Sequence, residues 1–178
     1  MKKIILVLAV ILSISAYSQE TEFKYTKETG FTDYVVTNVT GSQSELYAKS
    51  IKWIKENYIN PDEVIKMQIE NEKIRFEGVK IDYICNTYGK QTACANVKYL
   101  VEVSLKDGKY KLDPIELNAF NVAGTFEVPL NNLSIYYDKK GQLLKGSENT
   151  LIKIQELFNG INLSLNDYIN GKPKDKDW

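Results

Sequence analysis

The 178-residue sequence contains no histidine, one arginine (Arg75) and two cysteines. Without histidine it lacks the commonest general base and a common metal ligand. Two cysteines alone fall short of the four ligands of a structural zinc site. Nucleophile-elbow, Ser-x-x-Lys and glycine-rich phosphate-loop motifs are also missing from the sequence. We therefore expect no metal, no cofactor and no enzymatic activity of these classes.

A long apolar run occurs only at the N-terminus. Lys2 and Lys3 precede the apolar stretch Ile4–Leu12, and small residues follow at Ala16 and Ser18. This order is typical of a secretory signal peptide, with a retained anchor as the alternative. The run is shorter than the ~20 apolar residues of a membrane-spanning helix. We predict cleavage after Ser18 and a secreted or periplasmic protein that does not span the membrane.

The charge balance excludes one class of partner. Removing residues 1–18 deletes two lysines and no acidic residue, so the net charge changes from 0 to −2 over the remaining 160 residues. Such a chain lacks the basic surface of a nucleic-acid-binding protein, and we expect no nucleic-acid partner. Its length suits one domain. We divide it into a lead-in at 19–30, a single domain at 31–171 and a flexible C-terminal tail at 172–178.

The segment Val64–Leu117 has the pattern of four antiparallel strands joined by tight turns. Apolar and polar residues alternate from Ile65 to Ile69 and, with Leu100 as the one exception, from Val97 to Leu105, which is typical of half-buried strands. The apolar residues of both hairpins fall on one face. The sequence therefore predicts a one-sided sheet, whose apolar face must be covered by other elements.

Turn residues fix the predicted pairing of these strands. A two-residue turn at Asn71-Glu72 would place Ile69 opposite Ile74 and Met67 opposite Phe76. Asp107-Gly108 is typical of a type I′ hairpin and would pair Leu105 with Tyr110 and Val103 with Leu112.

The apolar alternation changes parity twice within this segment. At Gly78 the change predicts a bulge, with a break between two strands as the alternative. Beyond it, the apolar positions become Val79, Ile81 and Tyr83. Pro114 marks the second change of parity.

Two amphipathic segments can cover the apolar face. Ser42 and Glu45 match a capping box, followed at helical spacing by Leu46, Tyr47, Ile51, Trp53, Ile54 and Tyr58. This helix should end before Asn60-Pro61. Ser147 could cap a second helix with the stripe Leu151, Ile154, Phe158 and Ile161. With a strand at Phe31–Thr40, the predicted class is α+β, in the order strand, helix, four-stranded meander, helix, with the helices on one face.

Two regions between these elements are less regular. Cys85 and Cys94 flank the turn-rich segment Asn86–Ala93, and in an oxidising compartment we expect a disulfide that closes it. Free thiols or a bond to another chain are the alternatives. Phe120–Gly146 is a long, poorly patterned excursion with short strands predicted at Thr125–Val128 and Leu133–Tyr137.

A family resemblance adds to this prediction. The run Phe31–Val36, the helix that carries Trp53-Ile54, the junction Asn60–Ile65 and the run Arg75–Gly78 resemble a family of secreted Bacteroidetes proteins of unknown function with a TATA-binding-protein-like fold. The resemblance covers about residues 31–117. It implies a curved antiparallel sheet with helices on one face. It implies no activity, because fold alone does not carry function.

Three functional hypotheses follow. We favour a non-enzymatic binding module for a protein or glycan of the cell envelope, using the loop Asn86–Ala93, the excursion Phe120–Gly146 or the open part of the sheet. Its candidate aromatic platform consists of Tyr83, Tyr88, Tyr136 and Tyr137. The second hypothesis is a carrier of a small apolar ligand or lipid, with a cavity lined by Met67, Phe76, Tyr99 and Phe158. The third is a carboxylate-based hydrolase, with candidates Glu70, Glu72, Glu77 and Glu102.

Overall fold

A computed structural model describes residues 21–172 apart from 122, 124 and 125, and apart from the side chains of Tyr88 and Leu133. The predicted signal peptide at 1–18 lies outside the described residues. So does the predicted tail beyond Lys172. In the described part of the chain, no helix is long and apolar enough to cross a membrane.

The element order agrees with the predicted α+β class. The strands are β1 (Tyr25–Thr26), β2 (Gly30–Phe31), β3 (Val35–Asn38), β4 (Ile65–Ile69), β5 (Lys73–Tyr88), β6 (Gln91–Lys106), β7 (Lys109–Phe120) and β8 (Glu127–Pro129). The helices are α1 (Gln43–Asn57), α2 (Pro61–Val64) and α3 (Ser147–Ile169), with a 3₁₀ turn at Leu133–Tyr136.

Six described strands form one open antiparallel sheet. Its order is β3-β7-β6-β5-β4, and β8 pairs with the part of β7 that β3 does not reach. β1 and β2 form a separate two-stranded ribbon. Since β5 and β6 are each 16 residues long, they extend well beyond the shorter β4 at one edge.

α1 and α3 cover the apolar face of this sheet, as predicted. Both helices contact β5, α1 also contacts β6, and the two helices contact each other. The predicted inward set on β6 is fully confirmed, because every member is buried: Val97, Tyr99, Val101, Val103 and Leu105. The predicted α3 stripe is buried as well: Leu151, Ile154, Phe158 and Ile161. Helices and sheet therefore share one core.

The ends of both helices can be compared with the sequence signals. The capping box at Ser42 and Glu45 forms as predicted, and α1 ends at Asn57. Ser147, however, is the first residue of α3, and Gly146 with φ of 88° occupies the capping position. α3 then runs without a break to Ile169. The predicted capping position of the second helix was therefore wrong by one residue.

The N-terminal lead-in packs against α3. Phe23 is buried and its ring contacts Phe158 at 5.5 Å between centroids. Asn159 holds the Phe23 backbone on both sides, because its amide oxygen accepts from the Phe23 N–H and its amide nitrogen donates to the Phe23 carbonyl. Gln155 accepts from the Tyr25 N–H. This segment closes one end of the core.

The predicted register of the first hairpin was wrong. Ile69 lies opposite Lys73, and Met67 lies opposite Arg75. The loop has three residues because Asn71 adopts a left-handed conformation, with φ of 62°. A register shift between Ile65 and Met67 then returns Ile65 to a position opposite Phe76. One extra loop residue thus moves Met67 and Ile69 to the face without helices.

Gly78 is not a bulge, and β5 does not break there. Gly78 pairs regularly with Tyr99, and the register shift comes later, between Lys80 and Ile84. As a result Val79 and Ile81 are exposed and do not join the core, contrary to the prediction. The physical reason for the glycine is different: a Cβ atom at this position would lie 2.3 Å from the Tyr99 ring.

The second hairpin has the predicted register. Leu105 pairs with Tyr110 and Val103 with Leu112. The turn is not type I′, since only Gly108 has positive φ. The parity change at Pro114 is confirmed by a register shift, where Leu100 pairs with Glu116 and Val101 with Pro114.

The segment Asn86–Ala93 is mostly strand, in contrast to the turn-rich loop that the sequence predicts. β5 and β6 remain paired up to Tyr88 and Gln91, which leaves a two-residue turn at Gly89-Lys90. Cys85 and Cys94 are directly opposed in this pairing and form a disulfide, with 4.0 Å between their Cα atoms. The disulfide therefore joins two paired strands of an extended arm.

Two further predicted strands differ from the structure. The predicted strand at Phe31–Thr40 is divided between β2 and the short β3. In the excursion, β8 forms at Glu127–Pro129, whereas Leu133–Tyr136 is a 3₁₀ turn with Asn132 capping its N-terminus. The asparagine side chain accepts from the Ser134 N–H, and this local bond favours a turn over an extended strand.

Candidate functional site

A groove lies between the helices and the free part of β5. We call it the helix–strand groove. Its volume is about 730 Å³, which lies within the range of ligand pockets. One wall consists of α1 and the residues that follow it up to α2. The other wall is α3, and β5 and β6 form the floor. Its aromatic lining residues are Trp53, Tyr58, Tyr83 and Tyr99.

The floor of the groove depends on Gly78. Because this residue has no side chain, the Tyr99 ring on the neighbouring strand lies across it. Tyr99 is buried, and its ring packs edge-on against Phe158 at 6.3 Å between centroids. The Tyr99 hydroxyl lies 3.1 Å from the Tyr58 hydroxyl. Gly78, Phe158 and Tyr58 therefore hold the Tyr99 ring in one position, and this ring forms an aromatic floor.

The aromatic side chains of the groove also make polar contacts with its walls. The Trp53 indole N–H donates to the Ser164 hydroxyl at 3.0 Å and so joins α1 to α3. The Tyr83 hydroxyl donates to the Lys153 carbonyl at 3.1 Å. These bonds anchor each ring in one orientation, which is a form of preorganisation for binding.

The phenols of the groove stay protonated at ordinary pH. Burial is the main cause that raises the pKa of Tyr58, of Tyr99 and of Tyr83 above the usual 10. A neutral hydroxyl can donate one hydrogen bond and accept others. These phenols therefore suit recognition of a ligand and not proton abstraction from it.

The α3 wall opens at Gly160. A Cβ atom added there would meet no atom within 4 Å. A glycine in the middle of a 23-residue helix costs stability relative to alanine, by roughly 0.5–1 kcal/mol. No close contact in the helix requires this glycine, and its effect is to leave room in the groove.

Charged residues surround the groove. Lys66 and Glu77 form an ion pair at 3.4 Å, and Glu156 pairs with Lys153 at 2.7 Å. Glu63 and Lys80 also line the groove, and neither forms an ion pair with another described residue. The rim thus offers one unpaired charge of each sign.

A second concavity of about 640 Å³ lies at the edge of β7, between the parts that β3 and β8 cover. Arg75, Glu102 and Asp113 line it from the face of the sheet that carries no helices. Glu102 is only 6% exposed and accepts from Arg75 Nε at 2.8 Å, Lys73 Nζ at 3.0 Å and the Ser104 hydroxyl at 3.1 Å. This network fills the middle of the uncovered face.

Glu102 should make the stability of the protein pH-dependent. Burial alone would raise its pKa, but the bonds from Arg75, Lys73 and Ser104 outweigh burial and lower the pKa below the usual 4.5. A lowered pKa means that the stabilisation is present above pH 4.5 and disappears as the pH falls through the lowered value. Glu102→Gln should lower the free energy of unfolding at pH 7 by about 1–2 kcal/mol.

Urea unfolding of wild type and Glu102→Gln between pH 7 and pH 3 measures this effect. The gap between the two proteins should shrink towards the acidic end, because protonation removes the charge from the wild type as well. Glu127→Gln is the matched control, since that carboxylate pairs with Lys98 at an exposed position. An equal gap at every pH would show that the Glu102 charge is not the source.

Three of the four tyrosines predicted for the aromatic platform have described side chains, and these three lie in different surroundings. Tyr83 lines the groove. Tyr136 is only 3% exposed and donates to the Leu130 carbonyl at 2.7 Å, so it belongs to the core. The Tyr137 hydroxyl is hydrogen-bonded to the Tyr25 hydroxyl. The Tyr88 side chain lies outside the described residues.

The residues predicted for a carrier cavity are divided as well. Phe76 and Phe158 are buried and packed against other rings, with Phe76 contacting Trp53 and Tyr58. Met67 lies on the opposite face, beside Arg75. Of these four predicted residues, only Tyr99 lines the groove.

The carboxylates predicted for a hydrolase are separated in a similar way. Glu77 lies on the groove rim in an ion pair. Glu102 lies in the other concavity with a lowered pKa, whereas a catalytic acid needs a raised pKa. Glu70 and Glu72 belong to the exposed loop between β4 and β5.

Sequence reasoning did not find the groove, because its walls come from segments about 100 residues apart. The only direct indication of the groove in the sequence is the position of two glycines. Gly78 lies inside a strand and Gly160 inside a helix, where glycine is unfavourable unless something approaches closely or space is needed. The sequence alone does not show that the two positions border one groove.

Comparison with solved structures identifies the fold. The chain is similar to a protein described as a TBP-like protein from Parabacteroides distasonis, with a TM-score of 0.57 and 9% sequence identity over 76% of this chain and 90% of that chain. The fold is TBP-like. The chain is also similar to a DUF4468 family protein from Bacteroides ovatus, with a TM-score of 0.62 and 16% identity over 80% of this chain and 87% of that chain.

These comparisons agree with the resemblance stated from the sequence, a Bacteroidetes family of unknown function with a TBP-like fold. At 16% and 9% identity they concern the fold alone. No family model and no curated protein matches the sequence. Function must therefore be inferred from the helix–strand groove, because the TBP-like fold does not carry it.

Proposed function

We propose that this protein is an exported, non-enzymatic binding module, and that the helix–strand groove is its binding site. The observation that carries the proposal is the preformed aromatic floor over Gly78, with the Tyr99 ring held by Phe158 and the hydroxyl of Tyr58. Binding sites of this kind gain affinity because little ordering is needed when the ligand arrives.

The chemistry of the lining favours a protein or glycan ligand over a lipid. Aromatic rings with protonated hydroxyls offer both apolar contact and hydrogen bonds, which suit peptide groups and sugars. A lipid or small apolar ligand is better served by an enclosed apolar cavity. This groove instead has a charged rim that includes Glu63, Lys66 and Lys80, and charged groups near an apolar ligand lose hydration without a partner.

Export is supported by two features. The N-terminal sequence has the order of charged, apolar and small residues of a signal peptide. The Cys85–Cys94 disulfide, within the described part of the chain, is of the kind that persists in oxidising compartments. Together they favour a secreted or periplasmic location, where the partner would be a component of the cell envelope.

The test compares two substitutions at Gly160. Gly160→Trp places a large ring in the open space of the groove, whereas Gly160→Ala adds a single methyl group that meets no atom. We expect Gly160→Trp to lower affinity at least tenfold for any groove ligand, while Gly160→Ala binds like the wild type and is more stable by about 0.5–1 kcal/mol. Arrays of envelope glycans and of peptides, probed with the three labelled proteins, supply the measurement.

The arrays test the proposal by comparing the signal of the wild type with that of Gly160→Trp. Loss of the wild-type signal in Gly160→Trp, with an unchanged thermal midpoint, supports the groove as the binding site. A wild-type signal that Gly160→Trp retains at full strength would contradict the proposal. So would the absence of any signal for the wild-type protein on both arrays.

A further inference from the structure

The helix–strand groove borders a strand edge that carries no partner. The pairing between β4 and β5 ends where Ile65 meets Phe76. β5 continues to Tyr88 and pairs with β6 on its other side, apart from a register shift between Lys80 and Ile84. Among the described residues, no strand pairs with the outer edge of β5 from Glu77 onward. Gly78, Val79 and Lys80, which belong to this edge, also line the groove.

An unpaired edge of this type selects for polypeptide. In an antiparallel strand every second residue directs its amide and its carbonyl away from the existing partner. Such a row of donors and acceptors is a template for another strand, since a second extended backbone repeats its own donors and acceptors at the same spacing. The edge that an added strand can use runs from Glu77 to Ile81, because regular β5–β6 pairing continues to Lys80 and Asp82 has a left-handed backbone, with φ of 49°.

The side chains of this edge alternate between two surroundings. Gly78 follows Ile74 and Phe76 on the helix-covered side, and Lys80 is next on that side, at the groove. Val79 alternates to the other side and is 48% exposed, and Ile81 beyond Lys80 is 64% exposed. An added strand would therefore place a side chain in the groove opposite Gly78 and cover Val79 on the other side.

Charge specifies the residue opposite Lys80. Of the other charges at the groove, Lys66 pairs with Glu77 and Glu156 with Lys153, while Glu63 on the rim forms no ion pair with a described residue. Lys80 has no ion-pair partner among the described residues. Directly opposed residues of opposite charge stabilise antiparallel pairs, so an acidic residue at this position of the added strand complements the edge.

We propose that the ligand of the groove is an extended polypeptide segment that adds a strand along Glu77–Ile81. Its acidic residue lies opposite Lys80, an apolar residue lies opposite Val79, and a large apolar residue opposite Gly78 enters the groove over the Tyr99 ring. This inference rests on the proposed function and defines the class of its ligand. Strand addition of this kind takes affinity from the backbone and specificity from alternate side chains.

The experiment uses an eight-residue peptide, acetylated and amidated, with glutamate, valine and phenylalanine in succession at its centre and alternating threonine and valine around them. One control peptide carries N-methyl groups at alternate residues, which block one edge of its backbone. A second control has lysine in place of the glutamate. Fluorescence anisotropy measures the affinity for wild-type protein and for Lys80→Glu, and amide hydrogen exchange reports on the edge.

We expect wild-type protein to bind the glutamate peptide, with slower hydrogen exchange at Glu77–Ile81, and the N-methylated peptide to bind at least tenfold more weakly. Lys80→Glu should reverse the preference by about tenfold, so that the lysine peptide binds better than the glutamate peptide. This rescue cannot arise from misfolding, because a misfolded variant would lose both peptides.

Two results would overturn the inference. Equal binding of the N-methylated peptide would exclude strand addition, and the proposed function would survive if that binding still disappeared in Gly160→Trp. Absence of binding by every peptide would also overturn it, while a glycan signal sensitive to Gly160→Trp would leave the proposed function intact.

Discussion

Replacement of Phe158 by alanine is expected to lower the free energy of unfolding by about 3–5 kcal/mol, the usual cost of removing a buried aromatic ring. Phe158 is 2% exposed. Its ring contacts Phe23 of the lead-in and Tyr99 of the sheet, so it connects three parts of the core. The cavity left by alanine would be bounded by α3, β6 and the N-terminal segment. Urea unfolding of full-length protein gives the measurement.

Leu163→Ala is the matched control on the same helix. Leu163 is exposed on the side of α3 away from the sheet, and its replacement should change the free energy of unfolding by less than about 0.5 kcal/mol. If both variants showed the same small change, α3 would not pack on the sheet through the stripe that contains Phe158.

Gly78→Ala is expected to destabilise the protein by about 1–3 kcal/mol, the range for added volume in a packed core. The new Cβ would lie 2.3 Å from the Tyr99 ring, so the ring must move. The ring cannot move freely, because Phe158 packs against one side of it and the Tyr58 hydroxyl is hydrogen-bonded to its hydroxyl. The same substitution should disturb the floor of the groove and weaken ligand binding.

A double-mutant cycle isolates the clash. Tyr99→Leu removes the atoms that the new methyl group would meet, so Gly78→Ala should cost much less in that background than in the wild type. Gly160→Ala is the control for glycine replacement without a clash, and it should raise stability. Additive costs for Gly78→Ala and Tyr99→Leu would contradict the close approach of the ring to Gly78.

The covered face of the sheet could be predicted from the sequence because strand periodicity is local. The alternation from Val97 to Leu105 assigns the five inward side chains of β6 to the correct face, and the register at Asp107-Gly108 follows from the two-residue loop. The same holds for α1, whose capping box fixes its start within one residue. Each of these features depends on residues that are close together in the sequence.

The errors occurred where one backbone angle decides the pairing. A left-handed conformation at Asn71 converts a two-residue loop into a three-residue loop and displaces Met67 and Ile69 to the other face. Asn71 can adopt this conformation at little cost, but its presence there does not require it. Similarly, Gly78 is compatible with a bulge or with a close approach, and only the position of Tyr99 distinguishes the two.

The groove could not be predicted for a different reason. Trp53 and Ser164 are hydrogen-bonded across it although 111 residues separate them, and the sequence contains no pattern that relates their positions. The four predicted tyrosines were chosen by residue type, and of the three whose side chains are described only Tyr83 lines the groove. A binding site assembled by packing of two helices on a sheet is a property of the tertiary structure.

Chemical-shift mapping tests the central claim most directly. The ¹⁵N-labelled protein would be titrated with the tightest ligand from the glycan and peptide arrays. A binding site in the helix–strand groove predicts the largest changes at the amides of Gly78, Val79, Lys80 and Gly160, with little change at the tip of the arm around Gly89. Changes concentrated at that tip, or at the β7 concavity around Asp113, would contradict the assignment of the binding site to the groove.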